Sequence, residues 1–193
     1  MTTILLVRHG QSEWNREGRW QGHADPPLSD AGRRQAGELA EKLTDTPLDA
    51  IYSSDLQRAR ATAEVVAESH RIPVVVNDAL REIDVGEWSG LTSAEIERRY
   101  PDGFQRHING DDGWQQGEPH DEMSARIVAA IRDIAAAHPD GQVLCVLHGG
   151  VMRALLAYAE GADLRSFRRQ NRGPANGTVA RIAVENGCFR RID

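Results

Sequence analysis

An α/β fold, three layers deep around a mostly parallel sheet, is what this sequence predicts. Short apolar runs suited to strands alternate with stretches whose apolar residues recur at three and four, as in helices. Two histidine-glycine pairs, His9-Gly10 and His148-Gly149, each follow directly on such a strand-like run. In open α/β sheets the carboxyl ends of the strands are where ligands bind. The two pairs are therefore expected to converge.

The first strand, around Leu5-Leu6-Val7, runs straight into Arg8-His9-Gly10. Successive side chains of a strand point to opposite faces. For Arg8 and His9 to meet one ligand, the extended chain must break at about residue 9, and Gly10 makes that break cheap. Residues 11–28 carry Asn15, Gly18, Gly22, Pro26 and Pro27 and read as a loop or broken helix. Ser29 can cap a helix over about 30–44, with Ala36, Leu39, Ala40 and Leu43 as its buried stripe. Leu48 to Tyr52 is a second strand, and Ser53-Ser54-Asp55 precedes a helix over about 56–69. Ile72 to Val76, short and β-branched, is a third strand.

Residues 80–91 are irregular, with Gly86 and Gly90 around Glu87-Trp88-Ser89. Thr92 and Glu95 form a capping-box pattern for a short helix that stops before Pro101. Residues 101–120, rich in Gly, Asp, Gln and His, are expected to be a long surface loop. Met123, Ile127, Ala130, Ile131 and Ile134 mark an amphipathic helix. Gln142 to Leu147 is the most apolar strand and leads into His148-Gly149-Gly150 and a helix over about 150–160. Thr178 to Val184 and a short strand near 188–192 flank the turn Asn186-Gly187.

At 193 residues the chain suits one domain, 1–193, and its 40% apolar and 27% charged content is that of an ordinary soluble protein. A net charge of −6 argues against nucleic-acid or anionic-membrane partners. No apolar run approaches the roughly 20 residues of a membrane span, and no leader pattern opens the sequence, so a cytoplasmic location is expected. Cys145 and Cys188 form no disulfide framework, and Cys145 lies in an apolar run where a buried, inert thiol is the default. Lys42 is the sole lysine among 23 basic residues. That bias is mainly compositional, although arginine forks also suit phosphate or carboxylate. A monomer and a homodimer are both compatible with these features.

No zinc-type spacing accompanies His9, and a cation beside an imidazole suits an anionic ligand better. Around this core the sequence carries four ordered blocks. The first is Arg8-His9-Gly10 with Asn15, Gln21-Gly22, Leu28-Ser29, Gly32 and Gln35-Ala36. Tyr52 to Ala59, including Arg58, with Thr62-Ala63-Glu64 is the second. Arg81-Glu82-Ile83-Asp84-Val85-Gly86-Glu87-Trp88-Ser89-Gly90 is the third, and Leu147-His148-Gly149-Gly150 the fourth. Together they resemble the signature of the histidine phosphatase superfamily, the phosphoglycerate mutase-like proteins, and they cover most of residues 4–155.

The resemblance implies that His9 is a nucleophile that becomes a phosphohistidine, with Glu82 as general acid. Asp84 and Glu87 stay open as residues that share the acid role. Arg8, Arg58 and His148, the last as a cation, would hold the phosphoryl oxygens together with Asn15, Gln21, Gly22 and Gly149. Neither metal nor cofactor is then required, because the arginines supply the positive charge. His23, His107, His120 and His138 match no block and are expected at the surface. Trp88 and Trp114 suit either a pocket wall or the core. Arg165, Arg168, Arg169 and Arg172 read as a solvated basic face.

Mutases of this family carry a larger insertion after the acid. Gly86 to Thr92 and a modest segment at about 101–122, expected to act as a lid, are more similar to the phosphatase branch. The expected activity is metal-independent hydrolysis of small phosphate esters, with a small phosphorylated metabolite as partner. A cofactor-dependent phosphoglycerate mutase and an inactive phospho-ligand binding module are the alternatives.

Overall fold

The computed structural model describes residues 1–193. Apolar alternation builds its sheet. In β1 (Thr2–Arg8), Ile4 and Leu6 face one side while Leu5 and Val7 face the other. β4 (Gln142–Leu147) divides likewise into Val143, Cys145 and Leu147 against Leu144 and Val146. A strand that is apolar on both faces needs a layer over each. After the single turn of α1 (Glu13–Arg16), α2 (Asp30–Leu43) and α3 (Gln57–His70) cover one face through Leu39, Leu43, Ala63 and Val66. α6 (His120–Ala137) and α7 (Gly149–Ala159) cover the other through Ile127, Ile131, Val151 and Leu155. The result is the three-layer sandwich, with Cys145 fully buried in it.

With β2 (Ala50–Ser53), β3 (Val74–Val76), β5 (Val179–Glu185) and β6 (Cys188–Arg191), the strands lie in the order β3-β2-β4-β1-β5-β6. β1–β4, β2–β4 and β2–β3 pair in parallel, whereas β5 joins β1 and β6 antiparallel. β1 and β4 are neighbours, yet the helices that follow them, α2 and α7, pack on opposite faces. Their outgoing chains diverge and open a crevice at the carboxyl end of the sheet, the position where ligand sites form. No helix is long and apolar enough to cross a membrane.

Two stretches differ from expectation. Residues 101–120 are not one long loop, because α5 (Pro101–Ile108) follows α4 (Ser93–Arg99) almost at once. Pro101 ends one helix and takes the first position of the next, where its missing N–H costs nothing. The glycines that suggested a loop serve close packing: a Cβ on Gly113 would sit 2.1 Å from the Trp88 ring, and one on Gly103 2.4 Å from the Gly113 carbonyl oxygen. The expected basic face is in part α8 (Leu164–Gln170), capped by the Asp163 side chain on the Ser166 amide at 2.8 Å. Its Arg165 pairs with Asp111 at 2.9 Å and Arg168 donates to the Gly110 carbonyl at 2.9 Å, so the helix clasps the end of α5.

β1 stops at Arg8, as a shared ligand for Arg8 and His9 requires. Gly10 serves a different purpose from the one expected. It is not left-handed, and a Cβ there would meet the Gly32 carbonyl oxygen at 2.5 Å. Gly32 in turn would place a Cβ 2.0 Å from the Gln11 carbonyl oxygen. The two glycines let the start of α2 close against the chain just after His9. Gly37, on the same helix, has open space where a Cβ would go. Gly32→Ala should therefore destabilise the protein by about 1–3 kcal/mol through overlap. Gly37→Ala should stabilise it by roughly 1 kcal/mol through helix propensity. Urea melts of both variants check the pair, and equal effects would refute the close-approach account.

Candidate active site

At the carboxyl edge of the sheet lies a pocket of about 300 Å³, lined by Arg8, His9, Asn15, Gln21, Gly22, Arg58, Glu82 and Gly150, with an outer wall that includes Trp20, His107, Trp114, His120 and Arg153. β1 delivers Arg8 and His9, the start of α3 delivers Arg58, and the chain after β4 delivers His148. Glu82 comes from the irregular segment beyond β3. The sites expected from sequence thus meet at one place, although His148 and Gly149 stand behind the pocket surface rather than on it.

His9 is 2% exposed, and its Nδ1 lies 2.6 Å from the Gly10 carbonyl oxygen. A carbonyl only accepts, so Nδ1 carries the hydrogen and Nε2 of the neutral ring keeps a lone pair. The Asn176 side chain donates to the His9 carbonyl at 2.9 Å and to Asn15 Oδ1 at 3.2 Å. Fully buried His148 packs edge-on to His9, with ring centroids 5.0 Å apart and neither ring nitrogen hydrogen-bonded. Burial first, then the charges of Arg58 and Arg8, holds His9 well below the usual imidazole range. Burial and Arg58 do the same to His148. In the ligand-free protein both rings are therefore neutral, and the His148 cation is an expectation for the phosphate-bound site alone.

Arg58, 1% exposed, donates from Nη1 to the Ala24 carbonyl at 2.7 Å and from Nη2 to the Gly22 carbonyl at 2.9 Å. Burial lowers its pKa to about 10, so it stays charged near neutrality. Arg8 donates to the Pro174 carbonyl, while its Nε and that of Arg58 are buried without a partner. Gly149 lets Arg8 lie close, since a Cβ there would be 3.3 Å from Arg8 Nε. The amides of Asn15 and Gln21 have their oxygens occupied, by the Ser12 amide at 3.1 Å and the Ser12 hydroxyl at 2.7 Å. Their NH2 ends are what remains for a ligand. Gly22, at φ +53, passes within 2.9 Å of the Val85 amide nitrogen measured from an added Cβ.

Glu82 occupies the N-terminus of α7. Its Oε2 accepts from the Gly150 amide at 2.9 Å and its Oε1 from the Val151 amide at 3.3 Å. A helix start stabilises negative charge there, and Gly150 makes room, for a Cβ would lie 2.4 Å from Oε1. Asp84 and Glu87 do not line the pocket. Asp84 accepts from the Gly86 amide at 2.9 Å, and Glu87 accepts from the Gln115 and Gln116 amides at 2.8 and 3.1 Å.

Two expected surface histidines prove to be pocket residues. His120 is 9% exposed and hydrogen-bonds through Nδ1 to Asp112, and His107 stacks edge-on to Trp20 with centroids 5.0 Å apart. Burial, reinforced by Arg168, lowers both to about 4. His23 is half-buried, its Nε2 2.9 Å from the Glu82 carbonyl, and His138 is half-buried against the Tyr52 hydroxyl at 3.0 Å. Trp88 is core, fully buried, whereas Trp114 is both core and pocket wall. Arg153 and Asn176 carried no signal outside the four blocks. Arg153 falls five residues after His148, one helical turn beyond Gly149, and that spacing could have flagged it.

The model of the histidine phosphatase superfamily, branch 1, matches residues 4–192. Phosphoserine phosphatase 1 of Hydrogenobacter thermophilus is 38% identical over 169 residues, covering 86% of this chain and 80% of that one. The metal-independent phosphoserine phosphatase of Arabidopsis thaliana is 36% identical over 161 residues, covering 80% and 67%. The solved structure of Bacillus stearothermophilus YhfR superposes with a TM-score of 0.93 at 34% identity, covering 99% of this chain and 95% of that one. The chain belongs to the histidine phosphatase superfamily, branch 1.

The neutral state of the buried imidazoles has a measurable sign. An unfolded histidine takes up a proton near pH 6.5, whereas His9, His107, His120 and His148 resist it in the fold. Below the unfolded value the unfolded chain therefore binds more protons, and stability falls as pH falls. The thermal midpoint should be level above pH 7 and drop between about 6.5 and 4. His148→Gln should flatten part of that drop. A wild-type midpoint unchanged across the window would contradict the neutral state.

Proposed function

We propose that the protein is a metal-independent phosphomonoesterase that hydrolyses small phosphate esters through a phosphohistidine on His9. One observation carries the reading: His9 Nε2 keeps its lone pair inside a pocket whose inner pole holds Arg8 and Arg58, each with a buried, unpartnered Nε. Phosphoryl transfer needs a positioned nucleophile and positive charge around the equatorial oxygens, and these residues supply both. The name of the Arabidopsis relative, a metal-independent phosphoserine phosphatase, agrees with this chemistry.

In the first step His9 Nε2 attacks phosphorus and the bond to the ester oxygen breaks. The phosphate dianion arriving beside Glu82 favours its protonated form over the carboxylate of the empty site, and that proton passes to the departing alkoxide. In the second step a water attacks the phosphohistidine and passes a proton to the Glu82 carboxylate. Phosphate leaves and His9 is restored. Anion binding beside His148 favours its protonated form, so that a third donor arises as the ligand arrives. The segment at about 101–122 would serve as the lid within a single domain, keeping bulk water from the ester. A cofactor-dependent mutase would need to retain and re-present its phosphorylated intermediate.

The test is hydrolysis of p-nitrophenyl phosphate in EDTA, with acid-quenched protein assayed for phosphohistidine. Wild type should turn over and trap phosphate on His9, and His9→Ala should do neither. Arg58→Ala should lose on the order of 10²–10³ in kcat. Glu82→Gln should harm alkyl esters more than p-nitrophenyl phosphate, whose leaving group needs no proton. Phosphate exchange between phosphoglycerates without net hydrolysis would identify a mutase, and phosphate binding without turnover a binding module.

A further inference from the structure

Arg153 is unused by the chemistry above. It projects from α7 into the same pocket, and its Nε is buried with no hydrogen-bond partner. It shares that pocket with Arg8 and Arg58 of the inner pole and with His107 and His120 of the outer wall, and its charge acts on Arg8 and on both histidines. Glu82 is the carboxylate that acts on it most strongly, yet both Glu82 oxygens already accept backbone amides.

We propose that Arg153 is a specificity residue that binds a carboxylate on the substrate, so that the preferred esters are small phosphorylated acids. The proposal rests on the phosphatase reading and adds a second recognition point to it. A guanidinium edge matches a carboxylate with two parallel hydrogen bonds. The charge count favours a single negative group over a second phosphate. His107 and His120 titrate at about 4 and add no positive charge near neutrality. Arg168 is not on the pocket wall and is tied to the Gly110 carbonyl. Arg19 also lines the pocket, but it is tied to Glu17 at 2.9 Å, to the Gly90 carbonyl at 2.7 Å and to Glu95 at 3.5 Å. Arg153 is then the cation of the outer pole without a carboxylate partner, while Arg8 and Arg58 serve the phosphate. A pocket of about 300 Å³ suits a ligand of a few carbons between these two poles. Trp114, Trp20, Ile83 and Val85 form the apolar walls for that short backbone.

Matched esters test the point: 3-phosphoglycerate against glycerol 3-phosphate, and phosphoserine against phosphoethanolamine, each pair differing in one carboxylate. Wild type should favour the acid of each pair by roughly 10–100-fold in kcat/KM, the worth of a hydrogen bond to a charged group. Arg153→Ala should bring that ratio near one, mainly by raising KM for the acids, and Arg153→Lys should restore part of it. The ratio cancels any general loss of folded enzyme. A wild-type ratio near one, or one that survives Arg153→Ala, overturns the assignment while leaving the phosphatase reading intact. Failure to hydrolyse any ester, p-nitrophenyl phosphate included, removes both.

Discussion

Two guanidinium groups and two imidazoles are packed at one buried edge of the sheet, and Glu82 is the carboxylate that faces them from the pocket wall. Burying charge without a matching counter-charge is costly. The fold meets part of that cost with backbone carbonyls, from Pro174 to Arg8 and from Gly22 and Ala24 to Arg58. The remainder shows in the imidazoles, which give up their protons. Much of the local architecture serves this concentration of charge. Gly149 and Gly150 admit Arg8 and Glu82 to the start of α7, and Thr62 accepts from the Gly10 amide at 3.1 Å beneath His9.

The same electrostatics set the order of events at the site. On the proposed mechanism a protonated His9 could not attack phosphorus, so the fields of Arg8 and Arg58 would do two things at once. They would attract an anion, and they keep the His9 lone pair free until it comes. A dianion bound at that point would reverse the balance for His148, which packs edge-on behind His9 and makes no hydrogen bond of its own. Interacting imidazoles 5.0 Å apart titrate as a pair, so the protonation that matters belongs to the occupied site rather than to either ring alone.

How much of this was legible in the sequence follows from the kind of signal each residue carries. β1, β4, α2 and α6 are marked by periodicity, which burial on one or both faces imposes directly on the chain. Arg8, His9, Arg58, Glu82 and His148 stand out because four blocks occur in order. Periodicity is silent about α5 and α8: both are short, and their stability comes from Trp88, Asp163 and the clasp of Arg165 and Arg168 rather than from a long apolar stripe. Gly103 and Gly113 look like loop residues and are packing residues. His107 and His120 look like polar surface because His107 lies in short α5 and His120 is the first residue of α6, ahead of its apolar stripe. Gly10 stands at the expected break in the chain, but its close approach to Gly32 leaves no mark on a single sequence.

The segment from Glu82 to Gly90 connects the two poles of the pocket. Its first residue presents the carboxylate to α7, and the Glu82 carbonyl lies 2.9 Å from His23 in the loop that Arg58 pins. Further along, the Ser89 hydroxyl donates to the Gln21 carbonyl at 3.0 Å, while Glu87 holds the amides of Gln115 and Gln116. Trp88 fills the space between, edge-on to both Trp20 and Trp114 at 5.4 and 5.5 Å. The outer wall and the carboxylate are therefore joined by one short, well-packed stretch of chain. The inner pole is fixed by sheet edges and cannot vary much without losing its donors. Outer-wall residues are held by side chains, and on the proposed function substitution there would change which ester fits while the inner pole stays in place.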